Sequence, residues 1–185
     1  MRFEIITTSL NGLSLIERKP RADARGSLTR VFCDEELLLT GWDRPIAQVN
    51  HASTRLAGTV RGMHFQYPPH AEMKLVTCLR GVVWDVAVDL RAGSASFLKW
   101  YAVELSAVNH LSLLIPEGFA HGYKSLSDDC ELLYIHSTKY APNFESGLNP
   151  VDPILSIDWP VAITDISHRD SVHPLLGSQF QGIVL

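Results

Sequence analysis

The sequence predicts an all-β fold, a sandwich or barrel, in one domain over residues 1–185. Apolar runs of strand length recur along the chain, and clusters of turn residues separate them. Between them lie no long stretches with the 3.6-residue period of a helix. Hydrophobic residues make up 46% of the chain, enough to fill a core of this size.

The clearest element is LVTCLRGVVWDVAVDLR, residues 75–91, which Gly81 divides into two arms. In the second arm Val82, Trp84, Val86, Val88 and Leu90 alternate with Val83, Asp85, Ala87 and Asp89. Side chains of a strand point to alternate faces, so one face is apolar and the other carries two carboxylates. Further strands are expected at 99–105, 110–116 and 130–140, separated by AGSAS, PEGFAHG and SDD. CDEELLLTGW, residues 33–42, is the main helix candidate, with Gly41 as its stop. From Pro142 the chain reads as an irregular, proline-rich loop, and a short helix is expected near ISHRD.

Composition excludes several classes. The net charge is −4 and basic residues are not grouped, which argues against a nucleic-acid surface. The three cysteines, Cys33, Cys78 and Cys130, are odd in number and lack CxxC spacing, so neither a disulfide framework nor a zinc site is expected. Cys78 lies in an apolar run and reads as a buried free thiol. MRFEIITTSLNGL does not have the pattern of a secretory signal, and no window suits a membrane span. A soluble, cytoplasmic protein is the expectation.

Chemistry concentrates in VRGMHFQYPPHAEMK, residues 60–74, which holds Arg61, His64, Gln66 and Lys74. In a regular strand positions 61 and 64 fall on opposite faces. For both to serve one cavity the strand must bulge, and Gly62 permits that. In PEGFAHG, residues 116–122, a glycine turn carries His121 into the next strand. A metal fits poorly. His64 is followed by Phe65 and Gln66, Lys74 adds a repelling charge, and His70 and Glu72 fall in a loop after Pro68-Pro69. On residues alone Tyr140 reads as a rim aromatic and Asp170 as a surface carboxylate or helix cap.

Together these segments resemble the dTDP-4-dehydrorhamnose 3,5-epimerase family of RmlC-like cupins. The resemblance rests on DARG (23–26), QVNHAST (48–54), VRGMHFQYPP (60–69), KLV (74–76), GVVWDVAVDLRAGS (81–94), LSLLIPEGFAHGY (111–123), KYAPNFESGL (139–148), DP (152–153), DWP (158–160) and SHRD (167–170), in family order. It implies a double-stranded β-helix jelly roll with short peripheral helices, dimerising by exchange of strands near the N-terminus. It also implies a cofactor-independent reaction, with no metal, on a nucleotide-diphosphate 4-keto-6-deoxyhexose.

The resemblance assigns roles. His64 is the base, Asp170 orients it, Lys74 meets the enolate oxygen, and Tyr140 returns a proton from the opposite face. Arg25 and Arg61 match diphosphate contacts. Gln48, Asn50, His121, Glu145 and Arg169 match other substrate-binding positions, and Asp85 a site-lining one. Three departures bear on substrate choice. Leu28 stands where the family has an aromatic, Arg30 where it has an acid, and His136 where it commonly has lysine. A single-centre epimerase, a ketoisomerase on the same scaffold and a non-catalytic nucleotide-sugar binder are the alternatives.

Overall fold

The computed structural model describes residues 1–185. Its strands are β1 (Phe3–Thr7), β2 (Ser14–Arg18), β3 (Arg21–Asp23), β4 (Gly26–Leu28), β5 (Gln48–Thr54), β6 (Thr59–Gln66), β7 (Lys74–Arg80), β8 (Val82–Asp89), β9 (Trp100–Ser106), β10 (Leu111–Ile115), β11 (Phe119–Ser125), β12 (Cys130–His136), β13 (Glu145–Gly147) and β14 (Asp165–Ile166). Two one-turn helices, α1 (Asp34–Leu37) and α2 (His168–Ser171), lie outside them. One sheet runs β1-β2-β10-β7-β12-β5, the other β13-β6-β11-β8-β9, with β14 also on β6, and β3 and β4 pair as a separate hairpin. The predicted all-β fold holds, and the two facing, largely antiparallel sheets are those of a jelly roll.

The helix expected over 33–42 is α1 followed by a 3₁₀ turn at Leu38–Thr40, and Gly41 ends it in the left-handed region at φ 86°. Gly81, at φ 77°, separates β7 from β8 as expected.

The apolar face of β8 is largely covered, with Val82 and Trp84 only half-buried. Val86 and Val88 pack with Met63, Phe65, Leu148, Leu155 and Ile183 in a second core outside the sandwich. The chain from Pro142 onward, irregular as expected, covers this sheet. The other face of β8 points inward, and both Asp85 and Asp89 are fully buried there.

The space between the sheets is divided. Val76, Cys78, Val83, Leu113, Phe119, Cys130 and Leu132 fill one end. At the other end the same strands present polar side chains. On β12 the inward positions Cys130 and Leu132 continue as Tyr134 and His136. On β7, Val76 and Cys78 give way to Lys74. Apolar residues thus close one end, and the polar end stays open as a cavity.

Candidate active site

This cavity has a volume of about 920 Å³ and is lined by residues of both sheets, among them Asn50, Arg61, His64, Lys74, His121 and Tyr134. Arg61 and His64 share it because β6 bulges. Tyr123 and His121 on β11 are two residues apart, yet they pair with Arg61 and His64, which are three apart. The extra residue falls at Gly62–Met63. Gly62 has φ +126°, and a side chain on it would lie 2.5 Å from the Gly122 Cα. Only glycine combines that angle with that approach.

The bulge also leaves an opening in the edge of β6. β14 pairs with Thr59 and Val60, β13 with His64 to Gln66, and neither bonds Gly62. Asp170 fills the opening. Its backbone N–H donates to the Ser167 side chain at the start of α2, 3.1 Å away. Its Oδ2 accepts the Gly62 N–H at 3.2 Å, and its Oδ1 lies 2.8 Å from His64 Nε2. Burial pushes the Asp170 carboxyl up, but hydrogen bonding to His64, the imidazole charge and the Gly62 N–H outweigh it and hold the group at about 2. An anionic Asp170 fixes the ring proton on Nε2 and leaves Nδ1 as the basic nitrogen. Arg169 Nη2 also stands 2.8 Å from Nε2. That nitrogen cannot both donate to Asp170 and accept from Arg169, so the Arg169 contact is a close approach and not a second hydrogen bond.

Two further imidazole–carboxylate pairs stand at the cavity, though Asp85 is buried behind His121 and does not itself line it. His121 Nε2 is 2.8 Å from Asp85 Oδ1, with both side chains almost fully enclosed. His136 Nδ1 is 2.8 Å from Glu72 Oε2, and Glu72 Oε1 is 3.1 Å from Lys74 Nζ. Glu72 lies in the loop before β7, as expected, and its carboxylate forms part of the cavity wall.

Lys74 is 7% exposed, and its ammonium also donates to the His64 carbonyl at 3.3 Å. Of its three hydrogens one remains for an oxygen in the cavity. Among the lining cations, Lys74 and Arg169 have carboxylate partners. Arg61 has none and donates only to the Ser53 carbonyl, which leaves most of its guanidinium for a ligand anion.

Tyr140 lines the cavity but at its rim, 53% exposed. Its hydroxyl donates to Glu145 Oε2 at 2.8 Å, and the same oxygen takes Arg169 Nη1 at 3.0 Å. Arg169 in turn touches His64, so the Tyr140 hydroxyl is tied to the wall that carries the imidazole. The Tyr140 backbone N–H donates to Gln48 Oε1 at 3.1 Å, and Gln48 donates to Asn50, which pins the rim to β5. The phenol in the opposite wall is Tyr134, on β12, which the sequence reading passed over as part of an apolar run. Its ring lies edge-on to His121 at 5.7 Å and parallel to His136 at 6.0 Å. Burial pushes its hydroxyl well above the ordinary phenol range, so it stays protonated. The two-residue alternation Cys130, Leu132, Tyr134, His136 was the available signal.

Arg25 does not reach the cavity. It sits on the β3–β4 hairpin, all six strand residues of which are exposed, and pairs only with Asp23. Leu28 and Arg30 also lie outside the cavity. One cluster has metal-ligand spacing: His64, Asp170 and His173 bring ligand atoms within 4.8 Å of one another. The Arg169 guanidinium stands at the His64 nitrogen, where it opposes a cation. His173 is a further residue that the sequence did not single out; its ring is edge-on to His64 at 6.3 Å.

Fold and site together define a class: a jelly-roll enzyme with an imidazole in one wall, a phenol in the other and cations between them, equipped to move a proton beside a carbonyl. Residues 7–178 match the family model for dTDP-4-dehydrorhamnose 3,5-epimerase, and the chain belongs to that family. A dTDP-4-dehydrorhamnose 3,5-epimerase of Sinorhizobium fredii is 38% identical over 169 residues, 91% of this chain and 87% of that one. A dTDP-6-deoxy-D-glucose-3,5-epimerase of Legionella pneumophila, solved with dTDP-4-keto-L-rhamnose, superposes with a TM-score of 0.91 at 34% identity, covering 99% of each chain. A 3'-monoepimerase of Streptomyces bikiniensis, solved with dTDP as a double mutant, has a TM-score of 0.86 at 34% identity over 92% of this chain and 86% of that one. The histidine and tyrosine replaced in that mutant are 70 residues apart. No helix here is long and apolar enough to cross a membrane.

Proposed function

We propose that this protein epimerises a dTDP-linked 4-keto-6-deoxyhexose at C3, C5 or both, by proton transfer through an enolate. The observation that carries this reading is the pairing of His64 and Tyr134 in facing walls of one cavity. A hydrogen beside a ketone is acidic because the charge left behind moves to oxygen. His64, oriented by Asp170, removes it; the free donor of Lys74 meets the oxygen; Tyr134 delivers a proton to the other face, which inverts the centre. His64 and Tyr134 are 70 residues apart, the separation of the pair replaced in the Streptomyces bikiniensis enzyme, whereas Tyr140 is 76 residues from His64. Tyr140, tied to Glu145, closes the rim. Arg61 binds the diphosphate, with Gln48, Asn50 and His121 as polar contacts.

Arg25 joins the site from a second copy of the chain. This homodimer is supported by the projecting β3–β4 hairpin and by β5, an edge strand with Val49, Asn50 and His51 exposed beside the cavity. Uptake of deuterium at C3 and C5 of dTDP-4-keto-6-deoxyglucose in D₂O, followed by NMR, tests the function. Solvent exchange with inversion is expected, and the positions that invert give the number of centres. Binding of dTDP with no exchange would overturn the reading in favour of a non-catalytic binder.

A further inference from the structure

Glu72 is the only acid that touches Lys74, and its two oxygens are used differently. Oε1 meets Lys74 Nζ at 3.1 Å, and Oε2 meets His136 Nδ1 at 2.8 Å. The three side chains are each about nine-tenths buried. Burial pushes the Glu72 carboxyl up, but the charges of Lys74 and His136 and their hydrogen bonds outweigh it and keep it anionic. A carboxylate bound to lysine alone can rotate and carry the ammonium with it. With Oε2 locked by an imidazole, Oε1 has one direction left, and the ammonium is held between it and the His64 carbonyl. His136 is itself fixed. It stacks on Tyr134 at 6.0 Å with an interplanar angle of 14°, and its Nε2 lies 3.4 Å from the Asn50 amide.

We propose that Glu72 and His136 are positioning residues that aim the Lys74 ammonium at the oxygen on which the enolate charge develops. The inference rests on the proposed function and adds to it two residues that act through Lys74 without touching substrate. It also assigns His136 a task that its geometry supports. A short imidazole donates one directed hydrogen bond to Glu72 and presents a flat face to Tyr134.

Because they act through Lys74, their effects are non-additive with its removal. Glu72→Gln, which keeps the shape and loses the charge, lowers kcat for deuterium exchange at least about tenfold while KM and dTDP affinity change less than about threefold. In a Lys74→Ala background the same substitution produces no further loss. His136→Leu behaves like Glu72→Gln, whereas His136→Asn, whose amide can donate where Nδ1 does, stays within about threefold of the parent. The test is this set of kcat, KM and dTDP-affinity values, with thermal melting of each variant as the measure of folding. The inference is overturned if Glu72→Gln keeps the parent kcat. It is equally overturned if Glu72→Gln costs as much without Lys74 as with it, or if His136→Leu and His136→Asn are indistinguishable. Absence of exchange in the wild-type enzyme would instead remove the reaction itself, and this inference with it.

Discussion

Asp170 holds His64 Nε2 at 2.8 Å with one carboxylate oxygen and takes the Gly62 N–H at 3.2 Å with the other. One side chain thus orients the proposed base and closes the opening that the bulge leaves in β6. In Asp170→Asn the amide cannot stabilise an imidazolium and can bond the wrong ring tautomer. Deuterium exchange is expected to fall roughly 10²-fold or more, in the range of a lost acid–base group, while dTDP affinity stays within a few-fold. Single-turnover NMR and calorimetric titration with dTDP check the two halves. An Asp170→Asn enzyme with unchanged exchange would show that the dyad is only structural.

The bulge makes its own prediction. A methyl group at Gly62 meets the Gly122 Cα and the His121 carbonyl at φ +126°. Gly62→Ala is expected to cost roughly 2 kcal/mol or more of stability, because both strain and backbone overlap must be relieved. Urea denaturation measures it. A loss below about 0.5 kcal/mol, the range of neutral surface changes, would contradict the close approach.

Stability should also depend on acid in a defined window. Asp89 and Asp170 are both lowered from 3.8 to about 2, and both are buried. Burial raises Asp89, but Arg91, Ser94 and Ser96 bind it and outweigh that. A depressed carboxylate stabilises the fold above its unfolded pKa, and the stabilisation is lost as pH falls through the folded value. The loss for these groups therefore runs from about pH 4 down to about pH 2, on the order of 2 kcal/mol each. Urea midpoints at several pH values test this. The midpoint of Asp89→Asn should fall less steeply over that interval than that of the parent, and an equal slope would contradict the assignment.

Partner exchange of the β3–β4 hairpin can be tested by complementation. His64→Ala and Arg25→Ala each damage a different half of a shared site. Refolded together they form mixed dimers in which one site carries neither change. Activity well above that of either variant is expected. If mixing restores nothing although both are dimeric by sedimentation, Arg25 serves no partner site.

How far the sequence could be read depended on periodicity. The β8 alternation, the break at Gly81 and the Gly62 bulge were legible because each is a local rule with a visible violation or fulfilment. That β8 is largely covered on both faces was not, since the cover comes from Leu148, Leu155 and Ile183, far along the chain. Tyr134 was hidden for the opposite reason. In CELLYIH an aromatic looks like core, and only the inward parity it shares with Leu132 and His136 separates it from Leu133 and Ile135. Glu72 does lie in the loop after the two prolines, but its partners were hidden; pairing of His136 with Lys74 across β12 and β7 sets both beside it. Tyr140, given prominence by the KYAPNFESGL segment, lies in the cavity at its rim.

The most direct test of the account compares Tyr134→Phe with Tyr140→Phe in D₂O, watching C3 and C5 of the keto sugar by NMR. With His64 intact, Tyr134→Phe should still exchange hydrogen for deuterium but lose inversion by roughly 10²-fold or more, because only the second proton carrier is gone. Tyr140→Phe should invert within about tenfold of the parent. If Tyr134→Phe inverts at the parent rate while Tyr140→Phe does not, the facing pair proposed here is the wrong one.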